Sequence, residues 1–265
     1  MLEPLLIVFG FFIGIIASMT GVGGGVFIVP ILTLFYGFLP ANAVGTSLTT
    51  IIFTAIASAI NYAMQKRIYY RTGIIMIITT APGAYLGAWL TTIISPQLLG
   101  LIFGFFLIFV ALRMAYSIFR RKDQGKTVTV NSDAEMLKLK RTVVIGAGLS
   151  FFGGLASGLL GIGGGTLVVP IMAIVMGMPI HFATATSMFT MIFTSTSGVV
   201  QHYQANHIDF TVALLFAAGT IVGAQVGAYT SKKISGRNLS LIFAIMLIVA
   251  GGNMIQKYIQ SVLIF

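Results

Sequence analysis

The sequence contains no cysteine and only five acidic residues. The first absence excludes disulfides, thiolate catalysis and thiolate metal sites. The second matters through its placement. Glu3 and Asp209 fall at the edges of apolar segments, and Asp123, Asp133 and Glu135 fall in the single long polar stretch. No acid lies inside an apolar run, so there is no carboxylate dyad, no metal cluster and no membrane proton relay built on acids. Charge of either sign is scarce: 8% of the 265 residues are charged, against roughly 25% in a soluble domain. No stretch is left for a soluble domain with its own core. Catalysis is not expected, and neither is a metal or a cofactor. The start, Met1-Leu2-Glu3-Pro4, lacks the positive region of a signal peptide.

What the chain has is apolar length. Hydrophobic residues make up 57% of it, and several runs exceed the roughly 18 residues that mark a membrane span. The reading is an all-α polytopic protein of the cell membrane, with the lipid bilayer as its surroundings. The net charge of +10 does not point to nucleic acid. Lysine and arginine cluster in a few short loops, as topology signals do, and no basic and aromatic residues interleave along a helix face.

The chain is also duplicated. Gly21-Val22-Gly23-Gly24-Gly25 returns as Gly161-Ile162-Gly163-Gly164-Gly165, 140 residues later. Pro30 maps to Pro170, Thr46-Ser47 to Thr186-Ser187, Phe53-Thr54 to Phe193-Thr194, and Gly83-Ala84 to Gly223-Ala224. The repeat divides the chain into a first membrane unit (1–119), a cytoplasmic linker (120–141) and a second membrane unit (142–265). Each unit places a glycine break between two apolar segments, the second one short. Paired, glycine-interrupted short segments point to a transporter binding site.

In order, Leu5 to Met19 reads as a helix, Gly21 to Gly25 breaks it, and Val26 to Tyr36 is a short helix. Long helices follow over Ala41 to Met64, Thr72 to Ile94 and Gln97 to Phe119. Ser132-Asp133-Ala134-Glu135 has capping-box spacing, which predicts a short surface helix. The second unit repeats the scheme: Thr142 to Leu160, Thr166 to Met176, His181 to Tyr203, Phe210 to Thr230 with Asp209 as N-cap, and Leu239 to Tyr258. Loops 66–71, 120–141 and 232–237 are basic and belong in the cytoplasm; loop 204–208 carries no lysine or arginine and belongs outside. Loop 204–208 is the repeat mate of loop 66–71, so the two repeats have inverted topology and both termini are extracytoplasmic. Each unit then has a glycine-broken helical hairpin plus three long helices. Whether the hairpin is re-entrant or makes two full crossings stays open, because a 12- to 17-residue helix fits either.

Chemistry has to come from small groups. Ser47, Thr50, Thr54, Ser58 and Asn61 share one face of a helix, as do Ser187, Thr190, Thr194, Ser197 and Gln201. Small hydroxyls serve close helix packing or line a polar path; the large amides of Asn61 and Gln201 favour the path, being costly against lipid. The glycine breaks have two uses as well, close packing or exposing N–H groups at a helix N-terminus as an anion site. Neither break is a dinucleotide fingerprint or a P-loop. Of the histidines, His202 sits beside Gln201 near a helix end; solvation is the ordinary state for such a residue, and gating the sharper one.

The duplicated motif, Gly21-Val-Gly-Gly-Gly-x-x-x-Val-Pro30 with Gly45-Thr-Ser47, and Gly161-Ile-Gly-Gly-Gly-x-x-x-Val-Pro170 with Ala185-Thr-Ser187, resembles the sulfite exporter TauE/SafE family of membrane permeases over nearly the whole chain. The resemblance implies transport, usually export, of small sulfur-containing anions such as sulfite or organosulfonates. It makes Gly23, Gly24, Gly25, Thr46, Ser47, Thr50, Gly163, Gly164, Gly165, Thr186, Ser187 and Thr190 the expected substrate-binding residues. Thr54, Asn61, Thr194, Gln201 and His202 are the expected pathway or gate. The expected mechanism is alternating access between inverted halves; an anion channel of the same architecture and a membrane subunit of a partner complex are the alternatives. A coupling ion, sodium or proton, is the remaining partner, and the lack of intramembrane acids favours sodium or uncoupled flux.

Overall fold

The computed structural model describes residues 3–120, 132–231 and 248–260, and the side chains of these except 3 and 113–120. Every regular element among the described residues is helical. The first half holds α1 (Glu3–Thr20), α2 (Gly25–Phe35), α3 (Pro40–Met64), α4 (Tyr70–Leu90) and α5 (Pro96–Arg120). The short α6 (Asp133–Lys138) precedes the second half, which holds α7 (Lys140–Leu160), α8 (Gly165–Pro170), α9 (Ile180–Gln204), α10 (Phe210–Thr230) and α11 (248–260). Four of these, α3, α4, α7 and α10, are long and apolar enough to cross a membrane. The chain is an all-α polytopic membrane protein.

Local chemistry sets the boundaries. Pro40 opens α3, where a missing N–H costs nothing. Ser132 caps α6 by accepting from the Glu135 N–H at 3.1 Å, and Asp209 caps α10 by accepting from the Val212 N–H at 3.0 Å. The segment after Gly165 departs from a plain helix. Pro170 cannot donate to the preceding turn, and residues Ile171–Val175 widen into a π-helical turn that carries the chain on. Of the basic loops, 232–237 and residues 121–131 of 120–141 lie outside the described residues.

Inter-helix hydrogen bonds give the directions. Asp209 N–H donates to Thr46 Oγ1 and Thr50 Oγ1 to the Ala213 carbonyl at one end of α3. Asn61 and Gln65 meet Gln225 and the Ala228 carbonyl at the other. Helices α3 and α10 therefore run parallel, side by side. Helix α1 is parallel to α10 too: Gly10 packs on Phe216, Gly14 on Thr220 and Ser18 on Gly227. So α1 enters from the face where α3 begins. Helix α2 ends only a few residues before Pro40, hence at that same face. The α1–α2 pair therefore starts and ends at one face, a hairpin that turns at the first glycine break; α2, with 11 residues, is about 16 Å long at 1.5 Å per residue. The second half does the same from the opposite face: α7 runs parallel to α4 through Gly154 on Thr80 and Gly158 on Ala84, and α4 is tied to α9 through Thr80–Thr194 and Ser197–Ala81. The α1–α10 and α4–α7 contacts are lined with glycine, so backbones touch directly, which is how helices associate where lipid removes the hydrophobic drive.

Candidate functional site

The two glycine breaks cross antiparallel at the centre of the molecule. Gly25 lies against the Gly161 carbonyl and Gly165 against the Gly21 carbonyl, so close that a Cβ at either position would overlap the opposing oxygen. Gly24 and Gly164 cap the short helices in left-handed conformation, at φ 86° and 83°, where a side chain would be strained. Between them, Gly23 and Gly163 share two neighbours, Ile51 of α3 and Met191 of α9; a Cβ on either glycine would meet Met191 Sδ at 2.7 or 2.8 Å.

Two serines hold the crossing in place. Ser47 Oγ donates to the Gly161 carbonyl at 2.8 Å, and Ser187 Oγ to the Gly21 carbonyl at 3.1 Å. Each half thus fastens the break of the other. Their hydroxyl protons are committed to carbonyls. The neighbouring threonines are also engaged: Thr46 accepts from the Asp209 N–H and Thr186 from the Tyr69 N–H, both at 3.0 Å. Thr54 and Thr194 bond back to the carbonyls of Thr50 and Thr190, and Thr190 to that of Ser187.

What the breaks leave over is backbone N–H. The Gly24 carbonyl accepts from Phe27 and Ile28, and the Gly164 carbonyl from Leu167 and Val168. The N–H groups of Gly23, Gly24, Gly25 and Val26, and those of Gly163, Gly164, Gly165 and Thr166, have no partner among the described residues. They are the orphan donors of a helix start, buried rather than solvated, at an end with partial positive charge. Two hollows, of about 620 and 400 Å³, open on the face where α3 begins, both bordered by Leu39 and Asn42. Neither is bordered by a glycine of the breaks.

The expected pathway residues divide. Asn61 joins a half-buried amide cluster, donating to Gln225 Oε1 at 2.9 Å and accepting from Gln65 Nε2 at 2.6 Å. Gln201 is buried at the opposite end. His202 departs from the ordinary solvated state: it is fully buried, with Nε2 3.1 Å from the Gly158 carbonyl. A carbonyl only accepts, so Nε2 carries the proton and Nδ1 is a bare acceptor without a partner. The repeat mate of His202 is Tyr62, whose hydroxyl donates to the Ser18 carbonyl at 2.7 Å. Both side chains satisfy last-turn carbonyls, of α1 and α7 respectively.

Three buried hydroxyls near the second break, those of Ser157, Thr166 and Ser195, have no partner. Motif reading passes over Ser157 and Ser195. A position-by-position comparison of the two halves would have found them, since the first half has Ala17 and Ala55 in their places.

The family profile described as sulfite exporter TauE/SafE matches residues 6–254. The probable membrane transporter protein YunE of Bacillus subtilis is 32% identical, the match covering 97% of this chain and 98% of that protein. A probable membrane transporter protein of Methanocaldococcus jannaschii is also 32% identical, over 95% of this chain and 94% of its own. The sulfite exporter TauE/SafE family protein 5 of Arabidopsis thaliana is 28% identical over 50% of this chain and 30% of its own length. No solved structure matches.

Proposed function

The chain belongs to the sulfite exporter TauE/SafE family, and from that premise we propose that it is a secondary transporter exporting a small sulfur-containing anion, sulfite or an organosulfonate, by alternating access between two inverted halves. The observation that carries this reading is the crossing of the two glycine breaks. It sets unpartnered N–H groups from both hairpins side by side, where no lysine or arginine among the described residues is buried. N–H groups at helix starts hold oxyanions, and a site without a fixed cation binds modestly and releases readily, as a carrier requires. The substrate-binding group is then the backbone of Gly23 to Gly25 and Gly163 to Gly165. Ser47 and Ser187 act by positioning: each clamps the carbonyl that opens the opposite break, with Thr46, Thr50, Thr186 and Thr190 bracing the same turns. Alternating access follows from the same clamps. Breaking Ser47–Gly161 on one side and Ser187–Gly21 on the other opens the crossing towards one face at a time. Thr54, Asn61, Thr194, Gln201 and His202 border the route, and the protein has no catalytic role.

The test is counterflow in proteoliposomes. Vesicles preloaded with sulfite should accelerate uptake of labelled sulfite with saturation, and sulfate, taurine and sulfoacetate added outside should rank the substrates by competition. Non-saturating flux with no counterflow would make the protein a channel, and no flux of any of the four anions would remove the sulfur-anion reading.

A further inference from the structure

Resting on the transport reading above, we propose that the oxyanion head group is held on the second glycine break rather than shared equally between the two, and that the first break faces the substrate's apolar part. The halves share the same backbone at the breaks: the left-handed glycines 21, 23, 24 and 37 recur at 161, 163, 164 and 177. Ser18 and Thr20 of the first half give way to Gly158 and Leu160, but those two hydroxyls are committed to the Ile15 and Ile16 carbonyls; four other exchanges favour the second half. Ile13, Ala17, Val26 and Ala55 of the first half are Gly153, Ser157, Thr166 and Ser195 in the second.

The first difference opens space. A Cβ at Gly24 would meet Ile13 Cγ2 at 2.7 Å, whereas a Cβ at Gly164 would find nothing nearer than the Gly153 carbonyl at 3.3 Å and Ser157 Cβ at 3.5 Å. The other three add donors. Ser157, Thr166 and Ser195 are 0%, 6% and 0% exposed, and their hydroxyls have no partner. This is unusual in the molecule. Thr33, Thr49, Thr54 and Ser58 all bond back to a carbonyl four residues earlier, the ordinary outlet for a helical hydroxyl. Two of the orphans border the second break, and the third lies on the helix that crosses it. Ser157 faces Gly164, Thr166 follows Gly165, and Ser195 lies one turn beyond Met191, which touches Gly163, and three residues before Gly198, which packs on Gly158. The free N–H groups of Gly164, Gly165 and Thr166 lie among them; the helix they open runs on through the π-helical turn to Val175. Hydroxyls and amide hydrogens with no fixed charge suit a compact group bearing several oxygens and one or two negative charges, such as sulfite or the head of a sulfonate. The matching positions on the first half are Ile13, Ala17, Val26 and Ala55, which suit a short carbon chain.

The test compares wild type with S157A/T166V, which gives the second break the side chains of the first, and with Ser195→Ala alone. Sulfite counterflow gives KM, and the sulfite-induced shift in melting temperature of the detergent-solubilised protein gives binding independently of transport. Each hydroxyl lost from an anion should weaken binding about tenfold. We expect a KM raised at least that much in S157A/T166V, loss of the sulfite-induced shift, and a melting temperature without anion equal to or above wild type, since two unsatisfied groups are gone. If S157A/T166V does not fold, Ser195→Ala carries the same expectation. A folded variant with wild-type KM and wild-type shift overturns the subsite. If wild type transports none of the four anions yet shows a shift with sulfite, sulfate or phosphate that the variants lose, the subsite stands and the transport reading falls. No shift with any of these anions overturns the subsite.

Discussion

At the scale of single residues, the centre of the molecule is a matter of which polar groups are spoken for. The pairing of Tyr62 with the Ser18 carbonyl and His202 with the Gly158 carbonyl shows how two different side chains can do one job. His202→Leu would leave the Gly158 carbonyl buried and unpaired, costing about 1–3 kcal/mol. His202→Tyr copies the other half and should recover most of it. Melting temperatures of the two variants measure this, and sulfite counterflow in His202→Tyr measures something separate: retained flux makes His202 a cap, lost flux in a stable protein makes it part of the gate. His207, in the α9–α10 loop, is held below the ordinary histidine value by burial. The sign follows. The folded protein favours the neutral ring, so this contribution is present above the unfolded value near pH 6.5 and is lost as pH falls from there towards the folded value. The ring of His202, 5.7 Å away, and the Asp209 cap are the titratable neighbours to separate from it. His207→Gln should flatten a fall in melting temperature below about pH 6.5; an unchanged fall would place its origin elsewhere. The glycine motifs and both serines were legible in the sequence because the duplication marks them twice. Which hydroxyls stay free was not, since Ser47 finds its partner 114 residues away and only the register between helices decides it.

At the scale of elements, the glycine-broken hairpins depend on bare backbone. Helix α1 has 18 residues, about 27 Å at 1.5 Å per residue, long enough to pass for a full span. Chain length therefore leaves a re-entrant hairpin and two full crossings alike; the parallel packing of α1 on α10 fixes the face from which α1 enters. That packing predicts a contrast between two exchanges of the same kind. Gly219 lies against the Ile7 carbonyl with no room for a Cβ, while Gly148 on the exposed side of α7 has nothing within 4 Å. Gly219→Ala should destabilise by about 1–3 kcal/mol through overpacking. Gly148→Ala should be neutral or stabilise by up to about 1 kcal/mol through helix propensity. Thermal unfolding in one detergent reads both, and equal effects at the two sites would count against the α1–α10 contact. The boundary of α8 was less legible, because Pro30 and Pro170 occupy equivalent positions and only Pro170 is followed by a π-helical turn.

At the scale of the whole molecule, the contacts between halves and the distribution of charge make one argument. Helices α3 and α10 start at the same face, so the loops 36–39, 91–95 and 205–209 lie together on it, and none carries a lysine or arginine. Lys66, Arg67 and Arg71, with Lys138, Lys140 and Arg141 around α6, lie on the other; Asp133 ties the two groups by accepting from the Arg71 and Thr72 N–H groups. Lys257 fits this division despite its charge, because its Nζ donates to the Thr33 carbonyl at 2.8 Å, near the negative end of α2. Basic loops face the cytoplasm as a rule, and on that rule the start of α1 and the end of α11 are expected outside, with the second break's hairpin entering from inside. The absence of native cysteine makes this directly measurable. Single cysteines at Lys66 and at Gln204, two positions 138 residues apart whose neighbours share the same left-handed turn at Lys66 and Asn206, should react with a membrane-impermeant maleimide from opposite sides: Gln204→Cys in intact cells, Lys66→Cys only after permeabilisation. Labelling of both from one side would contradict the inverted arrangement and, with it, an alternating-access mechanism that needs one re-entrant hairpin on each face.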